Sequence, residues 1–255
     1  FRDEAGGPTG MLVEAAVGLV AALLPEPDAD TLLDALLAAQ ERLHSVGITA
    51  WQDAAVGASD IGPDALPAYE EAEARGLLTA RVVAALWWDR AVGMTQIPVL
   101  RAIRDRLAST AHLDAGTVKV MVDGMVENRT AAMLAPFEGQ GDDRGVTFIP
   151  QSDLDELSVA LDAAGFQIHY HAVGDAAVRS CLDALAVVRD RNGVSDHRHH
   201  IAHLDIVDDA DAPRFADLDA TANVTALWAR RDEEIVTRKL PLLGAERARR
   251  HFPFA

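Results

Sequence analysis

Cysteine is nearly absent from this chain. Cys181 is the single one among 255 residues, which excludes an intramolecular disulfide framework, and its place in a helical pattern makes it a small core residue rather than a nucleophile. Long apolar runs are missing as well: none approaches the roughly 20 residues that span a bilayer, so a transmembrane helix is not expected. Positive charge is scarce. With 23 Lys and Arg against 40 Asp and Glu the net charge is −17, which repels nucleic acid and anionic membrane surfaces, and neither is expected as a partner. A fixed-period repeat, a low-complexity stretch and a compositional break are all lacking, so 1–255 reads as a single domain. No G-x-S-x-G elbow is present, which argues against a serine-nucleophile α/β hydrolase. The chain also lacks a Met at its start and a polar terminus after Phe252, Pro253, Phe254 and Ala255. Both ends read as cut, a targeting signal could have preceded Phe1, and a cytoplasmic setting is only a default expectation.

What is present is the balance of a soluble globular protein, 49% hydrophobic and 25% charged, long enough for a barrel-sized core. Short apolar runs rich in β-branched and aromatic residues alternate with segments of helical period, the pattern of repeated βα units on a parallel sheet. Six strands are expected, at 48–53, 80–88, 118–122, 166–172, 199–204 and 223–228. Asp30 is expected to cap a helix with Leu32, Leu36, Ala39, Leu43 and Val46 on its buried face and Gly47 at its end. Ser152 is expected to start another, marked by Leu154, Leu157 and Leu161, with Gly165 before the next strand. A third carries Val178, Cys181, Leu182, Leu185 and Val188 on one stripe and closes at Asn192 and Gly193. Further helices are placed at 66–75 and 100–107. The segment 124–150 holds Gly139, Gly141 and Gly145, shows little periodicity and far exceeds the about 2 to 6 residues of a compact βα connection. A functional lid and a mobile surface insertion are both open there.

Three local patterns point to chemistry. In His169-Tyr170-His171-Ala172-Val173-Gly174-Asp175, alternation puts His169 and His171 on one face, where two imidazoles can chelate. Gly174 marks the strand's C-terminal end, where barrel active sites are assembled; a histidine hydrogen-bonded within the core is the alternative. In His199-His200-Ile201-Ala202-His203, the same rule places His199, Ile201 and His203 on one face, with His203 nearest the C-terminal end. His197, His199 and His200 are expected to form a hydrated cluster at the strand's start. Lys119, inside an apolar strand, is a buried ammonium that must be paired or chemically altered. A salt bridge to Asp123 or Asp53 would pair it. Desolvation would instead leave a neutral amine able to take up carbon dioxide as a carbamate, an anionic ligand that bridges metals.

Taken in order, these fragments resemble the amidohydrolase superfamily, in particular the branch of metal-dependent hydrolases that includes N-substituted formamide deformylases. Members carry a strand reading VK(I/L)xxDG followed by a segment ending in RTA, then HAxGD, then a strand ending in (E/A)H. Here these stand as Val118-Lys119-Val120-Met121-Val122-Asp123-Gly124 with Arg129-Thr130-Ala131, then His171-Ala172-Val173-Gly174-Asp175, then Ile201-Ala202-His203. Earlier, Gly47-Ile48-Thr49-Ala50-Trp51-Gln52-Asp53 resembles the family's GxTxxxD strand, and Pro8-Thr9-Gly10-Met11-Leu12 the segment ahead of it.

The resemblance implies an α/β fold, a partial (β/α)8 barrel of the TIM type with strands 2 to 7 present and strands 1 and 8 and the small β-sandwich domain missing. In the family the metals are held by an HxH motif on strand 1, a carboxylated lysine on strand 4, histidines on strands 5 and 6, and an aspartate on strand 8. Lys119, His171 and His203 match the middle three as metal ligands, with His171 and His203 also in catalytic roles; the outer two find no match. His169-Tyr170-His171 looks like HxH, but the HAxGD match assigns it to strand 5. Thr225-Ala226-Leu227-Trp228 departs from the QPxW or QPxH common in relatives, so a substrate contact there is changed.

The implied activity is hydrolysis of a C–N bond in an amide, N-acyl or substituted formamide small molecule, by water activated on one or two divalent ions, zinc foremost. A homodimer is allowed for. Asp123, Arg129 and Trp228 are the candidate substrate contacts. For Arg129 an ion pair with Glu127 or Asp123 is an equal reading. Asp175 is expected to cap a helix, and Trp51, Trp87, Trp88 and, as the alternative to a substrate contact, Trp228 to serve as core or pocket wall. The competing class is a non-catalytic barrel remnant or binding module.

Overall fold

All six expected strands form and pair in chain order as one parallel sheet: β1 (Ala50–Val56), β2 (Arg81–Trp87), β3 (Leu113–Met121), β4 (Gln167–Ala172), β5 (His200–His203) and β6 (Thr221–Val224). The computed structural model describes residues 5–12, 14–57, 59 and 61–252; Phe1 and 253–255, on which the reading of the chain ends leans, lie outside the described residues. No described helix is long and apolar enough to cross a membrane.

Alternation sorts the strand side chains into two layers. Val82, Ala84, Leu86, Val118, Val120, Ile168, Tyr170, Ala172 and Ile201 are each at most 1% exposed and share one core with Leu154, Leu161, Cys181 and Leu182 of the covering helices. Burying each large apolar side chain contributes about 1.5–3 kcal/mol. On the other face, Trp87, Lys119, His169 and His200 stand side by side in register, with Met121, His171 and Ala202 one step on. The sheet curls around this face. Nδ1 of His169 on β4 lies 2.7 Å from Oε1 of Gln52 on β1, where three strand spacings of a flat sheet would separate them by about 14 Å. The result is an open part-barrel with a polar concave lining.

The helices are α1 (Gly18–Ala21), α2 (Ala29–Ser45), α3 (Leu66–Ala74), α4 (Ile97–Leu107), α5 (Gln151–Ala163), α6 (Asp175–Asn192), α7 (Arg214–Asp217) and α8 (Leu240–Arg249). Asp28, not Asp30, caps α2, accepting from Thr31 N–H at 2.8 Å. The buried face of α2 also differs from expectation: Leu33 and Gln40 are buried and Leu36 and Leu37 pack on the core, whereas Ala39 and Val46 are exposed. Gln40 gives the reason. Its amide accepts from Thr79 and Ala80 N–H and donates to the Leu77 carbonyl, tying the helix to the start of β2, a polar contact invisible to hydrophobic periodicity. Ser152 lies inside α5, whose cap position is Pro150, and its hydroxyl bonds Asp153 instead of a backbone N–H.

The sixth strand stops at Val224 rather than running to 228, and Ala226–Trp228 forms a 3-10 turn. Among the described residues β6 has a single neighbour, so no second ladder holds it extended.

The segment 124–150 packs on a core of its own, Val126, Ala131, Met133 and Phe137 with Val173, Ile206 and Leu243. Arg247 of α8 donates to the carbonyls of Ala135 and Pro136, and Glu138 N–H to that of Leu242. In place of a mobile surface insertion the segment is a clamped, cored loop. Its close approach depends on glycine: a Cβ on Gly174 would lie 2.0 Å from the Ala132 carbonyl oxygen, and one on Gly145 1.8 Å from that of Ala131.

Candidate active site

Asp123 organises the C-terminal ends of β3 and β4. Fully buried, it accepts hydrogen bonds from the N–H groups of Ala132 (2.9 Å), Val173 (3.0 Å) and Gly174 (2.9 Å). Burial pushes its carboxyl up to about 8 against the pull of those donors. Both oxygens are thereby engaged in holding the loop against β4. Beside it, His171 Nε2 lies 3.1 Å from the Gly124 carbonyl and 3.7 Å from Asp123 Oδ1. A ring nitrogen facing a carbonyl must donate, so Nε2 carries the proton and Nδ1 keeps its lone pair.

His203 reaches the same place by a different route. Counting along β5 puts it with His199 and Ile201 on the helix-facing side, yet its ring centroid is 4.4 Å from that of His171. The backbone at His203 is left-handed (φ 84°), as it is at Leu204 (φ 57°), a conformation uncommon outside glycine. That twist breaks the alternation and brings the imidazole to His171. Nδ1 of His203 is 3.0 Å from Thr225 Oγ1, and the ring stacks on Trp228 at 4.9 Å and 14°.

Lys119 is 4% exposed and makes no hydrogen bond or ion pair among the described residues. Neither expected salt bridge forms: Asp123 is committed to backbone, and Asp53 to the Tyr69 hydroxyl (3.0 Å) and Ala55 N–H (3.2 Å). Burial brings the ammonium down to about 7. Burial is also the main cause in the imidazoles of His169, His171, His200 and His203, with the Lys119 charge contributing to all four; His171 and His200 fall to about 4, His203 to about 2, and His169 is lowered too. The rings of His169 and His200 are 4.2 Å apart, and each keeps a buried Nε2 without a hydrogen-bond partner. Neutral imidazoles with open lone pairs beside an unpaired lysine are the donor chemistry of a divalent cation, and these residues fit one.

The histidines at the start of β5 differ from expectation. His199 and His200 are buried rather than hydrated. His197 Nδ1 (2.7 Å) and His199 Nε2 (3.0 Å) both contact Asp162 Oδ1 at the N-terminal end of the strands. The ligand atoms of these three residues lie within 4.8 Å of one another, close enough to share a cation. Ile168 N–H, however, donates to His199 Nδ1 at 3.0 Å. Nε2 must therefore carry the proton given to Asp162, and the nitrogen facing the carboxylate has no free lone pair.

Arg129 pairs with Asp143 (3.0 Å) and Gln140 (2.8 Å), not with Glu127 or Asp123, and so ties the loop to itself. Asp175 opens α6 without capping it: Gly174 holds the cap position, and Asp175 Oδ1 accepts from Leu134 N–H at 2.8 Å. Trp51 donates to the Tyr69 hydroxyl and Trp88 is buried. Gln52 and Thr225 stand in segments that carry the resemblance but had no individual role there, and Lys239 stands in none of them. For Lys239 a signal existed, since it and Lys119 are the two lysines among 23 basic residues.

The family profile described as "Amidohydrolase family" matches residues 1–255. The chain belongs to this family. As an amidohydrolase it is 27% identical over 216 residues to the "Exoenzymes regulatory protein AepA" of Pectobacterium carotovorum subsp. carotovorum, covering 84% of this chain and 44% of that protein. It is 26% identical over 230 residues to the "N-substituted formamide deformylase" of Arthrobacter pascens, covering 87% and 41%. Its fold is similar to that of an uncharacterized metal-dependent hydrolase from Pyrococcus horikoshii OT3, with a TM-score of 0.72 at 23% identity over 99% of this chain and 48% of that one. The amidohydrolase chain thus spans less than half of each of these three relatives.

Proposed function

We propose that this chain carries the central part of the metal centre of a metal-dependent hydrolase, with β1 to β6 standing as strands 2 to 7 of a (β/α)8 barrel. The observation behind the reading is the 4.4 Å meeting of the His171 and His203 rings beside a buried lysine that has no partner among the described residues. Lys119, His171 through Nδ1 and His203 through Nε2 would hold one or two divalent ions, zinc foremost. Such an ion, when bound, acts as a Lewis acid and lowers the pKa of water from about 15.7 to about 7. The target is the C–N bond of an amide, N-acyl or substituted formamide small molecule, a reading in keeping with the deformylase relative.

The chain's own residues prepare that chemistry. Burial keeps both imidazoles neutral, so no proton must leave before they ligate. Gly124 and Thr225 orient the two rings. Asp123 acts through the backbone it holds, and Trp228 walls the substrate side of His203. Lys119, depressed toward a neutral amine, adds carbon dioxide in this reading: an N–C bond forms, one proton leaves, and an anionic carbamate results.

The test uses the full chain prepared without chelator, assayed for bound zinc, iron and manganese and for amine release from N-formyl and N-acyl amines. Stoichiometric metal, lost in His171→Ala and His203→Ala, is expected; no metal and no turnover would remove the enzyme reading. Carbon-13 bicarbonate should give one carbamate resonance, absent in Lys119→Arg. A binding or regulatory module is the second reading, favoured by the AepA relative, and metal-free protein without turnover is its outcome.

A further inference from the structure

A second buried lysine lies close to His203. Lys239 is 2% exposed and ends a turn of π-helix, Ile235–Lys239, that runs into α8; single π turns are frequent at functional sites. Its Nζ sits 2.6 Å from Asp205 Oδ2 and 3.5 Å from Glu127 Oε2, and 5.5 Å from the centre of the Trp228 ring. Trp228 in turn stacks on His203. Asp205 is fully buried and directly follows His203 and Leu204, the two left-handed residues. One ammonium therefore grips both the far end of the twisted segment and the ring that covers His203.

Stability alone is a poor reason for such a group. A buried ion pair can often be exchanged for apolar residues at little cost, so its best-attested use is to select one arrangement among several. An ammonium near an indole is drawn to its face, and three segments distant in sequence converge on Lys239: Glu127 from the loop, Asp205 after β5, and Trp228 after β6.

We propose that Lys239 is a positioning residue for the metal centre: anchored by Asp205 and Glu127, it holds the Trp228 indole against His203 and fixes the direction of that imidazole. The role in metal binding rests on the metal-centre reading above; the placement of the ring does not.

The experiment compares the 255-residue chain with Lys239→Met and with Lys239→Met/Asp205→Leu, the latter removing the carboxylate that the single change leaves buried and unpaired. Two readouts are taken on folded protein. In metal-free protein, NMR follows the His203 ring resonances, which stacking on Trp228 displaces; that displacement should disappear in both variants. Zn2+ titration should show affinity weakened by about 10- to 100-fold, the usual effect of losing an orienting contact. Trp228→Phe, which keeps a ring to stack, should retain most of the affinity, and Trp228→Leu should lose it. If folded Lys239→Met/Asp205→Leu keeps the His203 ring displacement unchanged, the proposal is overturned. A wild-type chain that binds no Zn2+ removes the metal-centre reading and leaves the ring displacement to decide the positioning role.

Discussion

The rings of His171 and His203 meet at 4.4 Å although strand alternation assigns them to opposite faces of the sheet. The meeting depends on a left-handed backbone at His203, which costs about 1–3 kcal/mol wherever a non-glycine residue adopts it. Strain of this kind persists only when the surroundings over-determine it. Asn accepts the left-handed region more readily than most side chains. His203→Asn is therefore expected to fold with stability within about 1 kcal/mol of wild type while losing about 100-fold or more in Zn2+ affinity. Denaturant unfolding and metal titration check the two halves separately.

The buried bases set a pH dependence with a definite sign. His171 and His200 have folded values near 4, below the unfolded value of about 6.5. The unfolded state therefore binds more protons between those values, and stability should fall as pH drops from about 6.5 toward 4. Urea midpoints measured across that range are expected to decrease steadily on acidification.

Lys119 acts in a higher window. Its folded value near 7 lies below the unfolded value of about 10.4, so the cost of the buried ammonium is fully present below pH 7 and fades as pH rises toward 10.4. In metal-free protein kept without bicarbonate, where Lys119 is the unmodified amine, Lys119→Met should stabilise the chain at pH 6 by a few kcal/mol, on the order of 2, and flatten the alkaline part of the stability profile. A destabilised Lys119→Met at pH 6 would show that the amine is already carboxylated or paired.

Gly174 has no room for a methyl group. A Cβ there would lie 2.0 Å from the Ala132 carbonyl oxygen, a backbone atom that cannot swing aside. Gly174→Ala is expected to cost about 3 kcal/mol and to loosen the loop, read as lower denaturation midpoint and faster amide exchange at Ala132.

Asp123 gathers three backbone donors. Asp123→Ala leaves three buried N–H groups unsatisfied, each costing about 1–3 kcal/mol, and should either prevent folding or detach the loop. Asp123→Asn keeps an acceptor oxygen and should fold with intermediate stability. Hydrogen exchange at Val173 and Gly174 distinguishes the two outcomes.

Much of the fold was legible because its signals are local. Strand alternation and helical stripes rest on neighbours two to four residues apart, and the stripe from Val178 to Val188 became the buried face of α6 as expected. The buried face of α2 departs from its hydrophobic period because Gln40 is held inside by partners nearly 40 residues away. Nothing near His199 in the chain announces Asp162, so its neighbours alone point to a hydrated side chain. Lys239 went unnoticed for the same reason, since Asp205, Glu127 and Trp228 each lie in a different segment.

The amino-acid order by itself determined that this is an α/β chain of parallel strands and that His169 and His171 stand on one face, because side-chain period is a property of the strand alone; the register between β3 and β4 adds Lys119 to that face. Only the tertiary structure decided that His203 joins them, that Asp123 serves the backbone, and that Lys119 has no counter-charge among the described residues. Those outcomes depend on a backbone twist at one residue and on which distant groups the curled sheet brings within hydrogen-bonding reach, neither of which local periodicity can encode.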